Sequence, residues 1–336
     1  MKNFILIACL SLLFFGSCRN PYHYNHIRFS ETPVNLDSLN SIYDDYNSDM
    51  PFLGGDCPLC FSSNRRSQGG EFDIIFYVLN IRLDRKDGQL YVGPQYAETW
   101  SNYQDLLYLQ EALPVINSTA NEYGPYVATW DNFSGQWKDN NRFLFMYASD
   151  SAGNLDIRFT NDVDRVDRFI PPMFATALNS SANDAYPSYS FKSDEIYFCS
   201  DRDGTYDIFK MAVSDRTKIL DILQGNLPSL VVKDTSLSST YNDKLPFVND
   251  DVMLFASDRP GGYGGYDLYY SVLTDSVWSA PVNLGPNINT AADECRPILI
   301  HMGEFDNDLV VFSSNRPGGK GGFDLYYVGI PKHGSQ

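Results

Sequence analysis

Few residues of this chain are spaced for chemistry. Cys57 and Cys60 are separated as in redox and metal-binding pairs, but a metal site of that kind needs a second pair or a histidine cluster. The histidines, His23, His26, His301 and His333, lack ligand spacing, although the first two lie close together. No Gly-x-Ser-x-Gly elbow or other nucleophile motif occurs. The glycine-rich segments lack the Lys-Ser/Thr and the following helix of a phosphate loop. Hydrolysis of a glycosidic bond would require two opposed carboxylates about 5–9.5 Å apart. These observations assign no catalytic residue, no metal site and no cofactor.

What the chain does contain is repetition. Residues 255–269 read Phe-Ala-Ser-Asp-Arg-Pro-Gly-Gly-Tyr-Gly-Gly-Tyr-Asp-Leu-Tyr, and residues 312–326 read Phe-Ser-Ser-Asn-Arg-Pro-Gly-Gly-Lys-Gly-Gly-Phe-Asp-Leu-Tyr. Alternating apolar and polar residues predict a half-buried strand, the glycine-rich run must turn, and a second strand follows. Each copy is a β-hairpin. Weaker copies lie at 61–74, 147–157 and 198–208. The second strand always opens on an aspartate: Asp73, Asp156, Asp207, Asp267 and Asp324. Upstream of each hairpin an acid precedes a proline: Asp49, Glu122, Asp184, Asp243 and Glu294. Two signatures, five times each in one order, establish a five-fold repeat.

Residues 29–36, Phe-Ser-Glu-Thr-Pro-Val-Asn-Leu, parallel residues 278–284, Trp-Ser-Ala-Pro-Val-Asn-Leu. The later string joins two hairpins, so it should be the outermost strand of a four-stranded unit. The chain therefore starts with a last strand and ends, at 326–330, with a third. The expected fold is all-β: a five-bladed β-propeller of four-stranded antiparallel blades, closed by an N-terminal strand that completes the last blade. The innermost strands are expected at 52–55, 126–130, 188–191, 247–249 and 298–301, without an acid, while Asp56, Asp131, Asp194, Asp250 and Asp251 fall in turns beyond them. A short helix is expected over 102–113 behind Ser101.

The 336 residues are 43% hydrophobic and 15% aromatic, enough for a large core. A formal charge of −17 and no basic stripe argue against nucleic acid as a partner. Lys2, an apolar run over 4–15 and Gly16-Ser17-Cys18 have the order of a secretory leader, and the run is shorter than the ~20 residues of a membrane span. The expected domains are a leader over 1–17, a lead segment over 18–25 and the propeller over 26–331.

Phe15-Gly-Ser-Cys18 resembles the lipobox of bacterial lipoproteins, which implies cleavage before Cys18 and its acylation. Arg19, where an aspartate would imply retention at the inner membrane, implies the outer membrane, with the periplasmic face favoured over the cell surface. The hairpin strings, with Trp-Ser-x-Pro-x-Asn-Leu-Gly between them, are similar to the WD40-like propeller repeat of the TolB type found in envelope lipoproteins of Bacteroidetes-type bacteria. The similarity covers about residues 26–330. TolB's own additional domain is not matched, so its partners do not carry over.

The five hairpin aspartates read as structural, since residues used in every blade serve the blade. Arg65, Arg202, Arg259 and Arg316 follow the first hairpin strands and are expected to pair with the acids before the prolines, tying blade to blade. Blade two has Ser151 where the others have arginine, which would leave Glu122 unpaired. Glu122, Ser151, Tyr263, Tyr266, Trp130 and Trp137 are the candidate binding residues. The expected function is a non-catalytic scaffold: a lipid-anchored propeller binding an envelope protein, with aromatic tips as the interface. The alternative is a glycan-binding or carbohydrate-active propeller using Trp100, Trp130 or Trp137.

Overall fold

The computed structural model describes residues 27–51, 57–84, 89–94, 110–134, 142–163 and 169–333. Strand β1 (Val34–Asn35) leads into blade one, which comprises β2 (Asp45–Asp49), β3 (Cys57–Ser63), β4 (Asp73–Asp84) and β5 (Gln89–Pro94). Blade two comprises β6 (Glu122–Thr129), β7 (Phe143–Ser149), β8 (Asp156–Asn161) and β9 (Met173–Phe174). Blade three comprises β10 (Asp184–Ser190), β11 (Glu195–Ser200), β12 (Asp207–Ala212) and β13 (Val231–Lys233). In blade four, β14 (Asp243–Asn249), β15 (Val252–Ser257) and β16 (Asp267–Thr274) are followed by two short pieces, β17 (Val277–Trp278) and β18 (Val282–Asn283), which share the outer position. Blade five is β19 (Glu294–Ile300), β20 (Asp308–Ser314) and β21 (Asp324–Ile330), and β1 pairs with β21 to complete it. The chain is a five-bladed β-propeller.

The repeat explains the packing. Phe61, Tyr147, Phe198, Phe255 and Phe312 stand at one position of the second strand of each blade and are buried between neighbouring sheets. Burial of each such side chain contributes roughly 1.5–3 kcal/mol. Beside them stand small residues, Ser62, Ala148, Cys199, Ala256 and Ser313, also buried. Their size lets the next inner strand approach: Gly124 N donates to Ser62 Oγ at 3.2 Å, and Asn47 N donates to Ser313 Oγ at 3.1 Å.

Blade is joined to blade by a repeated backbone bond. The N–H at the start of each inner strand donates to the carbonyl just before the previous blade's hairpin aspartate. The pairs are Glu122–Phe72 at 2.8 Å, Asp184–Leu155 at 2.7 Å, Asp243–Tyr206 at 2.7 Å, Glu294–Tyr266 at 2.7 Å and Asp45–Phe323 at 2.8 Å. The last of these closes blade five on blade one. The hairpin aspartates hold their own turns: Asp324 accepts from Lys320 N and Gly321 N, and Asp267 from Tyr263 N and Gly264 N.

Three expectations are corrected or fall elsewhere. The inner strand of blade one is Asp45–Asp49, while 52–55, where it was expected, lies outside the described residues, as does Asp56. The inner strands are therefore not free of acid, since Asp49 ends β2. Of the helix expected over 102–113, residues 102–109 lie outside the described residues, Gln110 and Glu111 are helical, and a single further turn, Leu113–Ile116, follows. Cys60, Cys199 and Cys295 are free, buried thiols, and Cys57 is buried as well.

Candidate functional site

Each inner strand carries a bulge at the same point, where its register against the second strand shifts. One residue there has positive φ: Asn47 at 58°, Gly124 at 55°, Tyr186 at 60°, Leu245 at 60° and Arg296 at 42°. A bulge re-aims a side chain, and left-handed backbone in a non-glycine residue costs roughly 1–3 kcal/mol. The bulges bring these residues together across the propeller. Asn47 Nδ2 reaches Tyr186 Oη at 3.5 Å, and the Arg296 guanidinium lies 5.8 Å from the Tyr186 ring centroid. Arg296 donates to Pro246 O at 3.1 Å and to Pro125 O at 3.0 Å, so blade five holds blades four and two.

Arg296 is fully buried, and burial draws it below its usual range. Asp49 faces it and accepts a bond from Val127 N at 2.7 Å. Burial nonetheless lifts the Asp49 carboxyl to about 7.

On the side of the glycine-rich tips, this plug floors a cavity of about 170 Å³. The residues just before the hairpin aspartates contribute to its wall: Leu155, Tyr206, Tyr266 and Phe323, all half-buried. Their backbones are fixed by the next blade, since Tyr206 N donates to Asn242 Oδ1, Tyr266 N to Asp293 Oδ1 and Phe323 N to Asp44 Oδ1. Tyr46 completes the wall and continues it into a cluster of aromatics. Its ring lies 5.6 Å from Phe323, 5.0 Å from Phe72 and 6.0 Å from Tyr123. Burial pushes the Tyr123 hydroxyl up to about 12, so the tyrosines remain neutral donors at ordinary pH. Lys244 is the cation of the wall.

The opposite end of the channel holds a pocket of about 370 Å³ whose lining includes Asp49, Tyr126, Phe247, Asp250 and His301. His301 Nδ1 is 2.8 Å from Asp308 Oδ1 there.

The sequence-derived candidates divide between these places. Arg65, Arg202, Arg259 and Arg316 do pair with acids, at 2.6, 2.5, 2.5 and 3.0 Å, but the partner in blade one is Asp45 rather than Asp49. Each pair lies within one blade. The same guanidinium also donates to a carbonyl of the entering loop, Leu39, Leu178, Leu237 or Ile288. A signal for Asp45 was present in the sequence. Every paired acid has Ser or Thr four residues upstream, and Ser41 N donates to Asp45 as Ser239 N donates to Asp243.

Among the described residues no arginine pairs with Glu122. It accepts from Ser118 N and Oγ, and burial, with Asp73 and Asp150 near, lifts it to about 7. Ser151 is held instead by Arg158, at 2.9 Å. Tyr263 is 49% exposed at a hairpin tip, and Tyr266 lines the mouth. Trp130 is buried against Phe133 beyond the far end of β6, so it does not share a face with Tyr266. Cys18, Trp100 and Trp137 lie outside the described residues. Sequence reasoning singled out Tyr266 but missed Tyr46, Tyr206 and Phe323, although Tyr206 and Phe323, like Tyr266, stand immediately before a hairpin aspartate.

No protein-family model matches the chain, and no curated protein matches it. Solved structures do. A thermostable family-43 glycoside hydrolase superposes with a TM-score of 0.52 at 13% identity, covering 86% of this chain and 89% of its own. The α-L-arabinofuranosidase PaAbf62A of Podospora anserina, solved with cellotriose, gives 0.51 at 10% identity, covering 91% and 98%. A TolB structure from Agrobacterium tumefaciens gives 0.37 at 15% identity, covering 82% and 71%, too distant to carry an argument. What these similarities share with this chain is the propeller.

The expectation of a non-catalytic, protein-binding scaffold that is not an enzyme is corrected by this result. Solved propellers with TM-scores above 0.5 against this chain include glycoside hydrolases. The expectation rested on the lack of a local catalytic motif. A propeller assembles a site from single residues on separate blades, which no contiguous motif records.

Proposed function

We propose that this chain is a carbohydrate-active β-propeller that receives a glycan at the aromatic mouth. The observation that carries the reading is the set of half-buried rings, Tyr46, Tyr206, Tyr266 and Phe323, around one cavity. Rigid aromatic faces stack on the C–H faces of pyranoses, and tyrosine hydroxyls offer hydrogen bonds to sugar hydroxyls. The similarity to glycoside-hydrolase propellers supports the same class of ligand.

The test is a panel of neutral and acidic oligosaccharides, with calorimetric binding and reducing-sugar release measured on the same samples. Tyr266→Ala and Phe323→Ala should each weaken the best binder about tenfold, the loss of one stacked ring. A panel without any binder, or binding untouched by both substitutions, would sink the proposal.

Within the same proposal the chain is a TolB-type lipoprotein, acylated at Cys18 and held at the outer membrane. The support is the Phe15-Gly-Ser-Cys18 string and Arg19 after it. Cys18→Ala should move the protein from the membrane pellet to the soluble fraction; an unchanged distribution excludes the anchor.

A further inference from the structure

The mouth carries a cation that has no carboxylate partner among the described residues. Lys244 stands one residue before the strained position of its inner strand, where the other blades have Tyr46, Tyr123, Ala185 and Cys295. Its Nζ lies 4.0 Å from the Tyr206 ring centroid and 5.1 Å from that of Tyr266. All three side chains line the cavity. Among the described residues Lys192, Lys210 and Lys233 each hold an aspartate, whereas Lys244 has no carboxylate at ion-pair distance.

The acids on the neighbouring loops are engaged elsewhere. Asp258 accepts from Asn242 N and Nδ2, Asp201 from Asn183 N and Nδ2, and Asp293 from Tyr266 N and Asn315 Nδ2. Two π faces hold an ammonium in place without cancelling its charge. In a chain of net charge −17, a lysine so placed is left available to a ligand.

We propose that Lys244 makes the mouth selective for a saccharide bearing a negative charge, as a uronic carboxylate or a sulfate ester. The inference rests on the glycan reading of the mouth. The sugar ring stacks on Tyr266 or Phe323 while its anionic group meets Nζ, and the aromatic surroundings exclude the water that would otherwise screen the pair.

Titration calorimetry with digalacturonate, galactose 6-sulfate and uncharged galactobiose tests it on the full chain and two variants. Lys244→Met keeps the apolar stem, and Lys244→Arg keeps the charge. At least one charged probe should bind about tenfold tighter than galactobiose. That preference should fall within twofold in Lys244→Met, survive in Lys244→Arg and shrink at raised salt. The separate arms show whether carboxylate or sulfate is the preferred anion. Equal binding of all three probes, or a preference that persists in Lys244→Met, overturns the charge selection and leaves the glycan reading intact. Binding of none of these probes overturns the charge selection; the wider panel then decides whether the glycan reading falls with it.

Discussion

Asn35 Nδ2 donates to Asp324 at 3.0 Å across the closure of the propeller, as Asn283 Nδ2 donates to Asp267 at 2.8 Å within blade four. The N-terminal segment thus stands in for an outer strand that the last blade lacks. Phe29 completes the join: it stacks on Phe305 with centroids 4.1 Å apart, and Asn307 bonds both its N–H and its carbonyl.

Removing this closure should be costly. Phe29→Ala should lower stability by about 3–5 kcal/mol, and Asn35→Ala by about 1 kcal/mol. Equilibrium urea unfolding measures both. A Phe29→Ala protein with the parental midpoint would show that the segment does not hold the propeller shut.

Arg259→Ala should destabilise by about 3–5 kcal/mol. It leaves Asp243 buried without its cation, and Leu237 O without its donor. Arg259→Lys should recover only part of the loss, since one ammonium cannot reproduce a fork that bonds Asp243, Ser257 and Leu237 together. Full recovery by lysine would reduce the pair to simple charge neutralisation.

Glu122 has no such arginine among the described residues, and its carboxyl is raised from 4.5 to about 7 in the folded protein. Between those values the native state binds more protons than the unfolded chain, so this group makes stability fall as pH rises from about 4.5 to 7. Asp49, raised from 3.8 to about 7, acts in the same direction. Glu122→Gln removes one share of that slope. Relative to the parent, the variant should gain about 1–2 kcal/mol between pH 5 and pH 8, the full shift being reduced by solvent screening. Unfolding curves at the two pH values decide it, and an identical offset at both would refute the raised carboxyl.

Gly124 has φ of 55°, and a methyl group there would run into the ring of Tyr186. Gly124→Ala should therefore cost about 1–3 kcal/mol and displace Tyr186, the floor of the mouth. Saccharide affinity should fall with it even though no wall residue has changed. Parental affinity in a destabilised variant would show that the floor does not shape the site.

Much of this structure could be read along the chain. Asp267 and Asp324 recur with nearly the same neighbours because each must hold the same turn, and a device used once per blade leaves a period in the sequence. Blade one shows how that legibility fails. Its proline position holds Ser48, and the nearby Pro51 drew the acid assignment to Asp49 instead of Asp45. Ser41, four residues before Asp45, performs the task that Ser118, Ser180, Ser239 and Thr290 perform elsewhere. The site was less legible still. Tyr46, Lys244 and Phe323 are far apart in sequence and belong to three different blades.

By itself, the amino-acid sequence determined the blade count, the hairpin turns and the origin of the closing strand, because these depend on contacts repeated at short separation. Only the tertiary structure decided which side chains meet at the axis. Five residues of left-handed backbone on five strands converge there once the propeller closes, and a convergence that occurs a single time has no period to betray it.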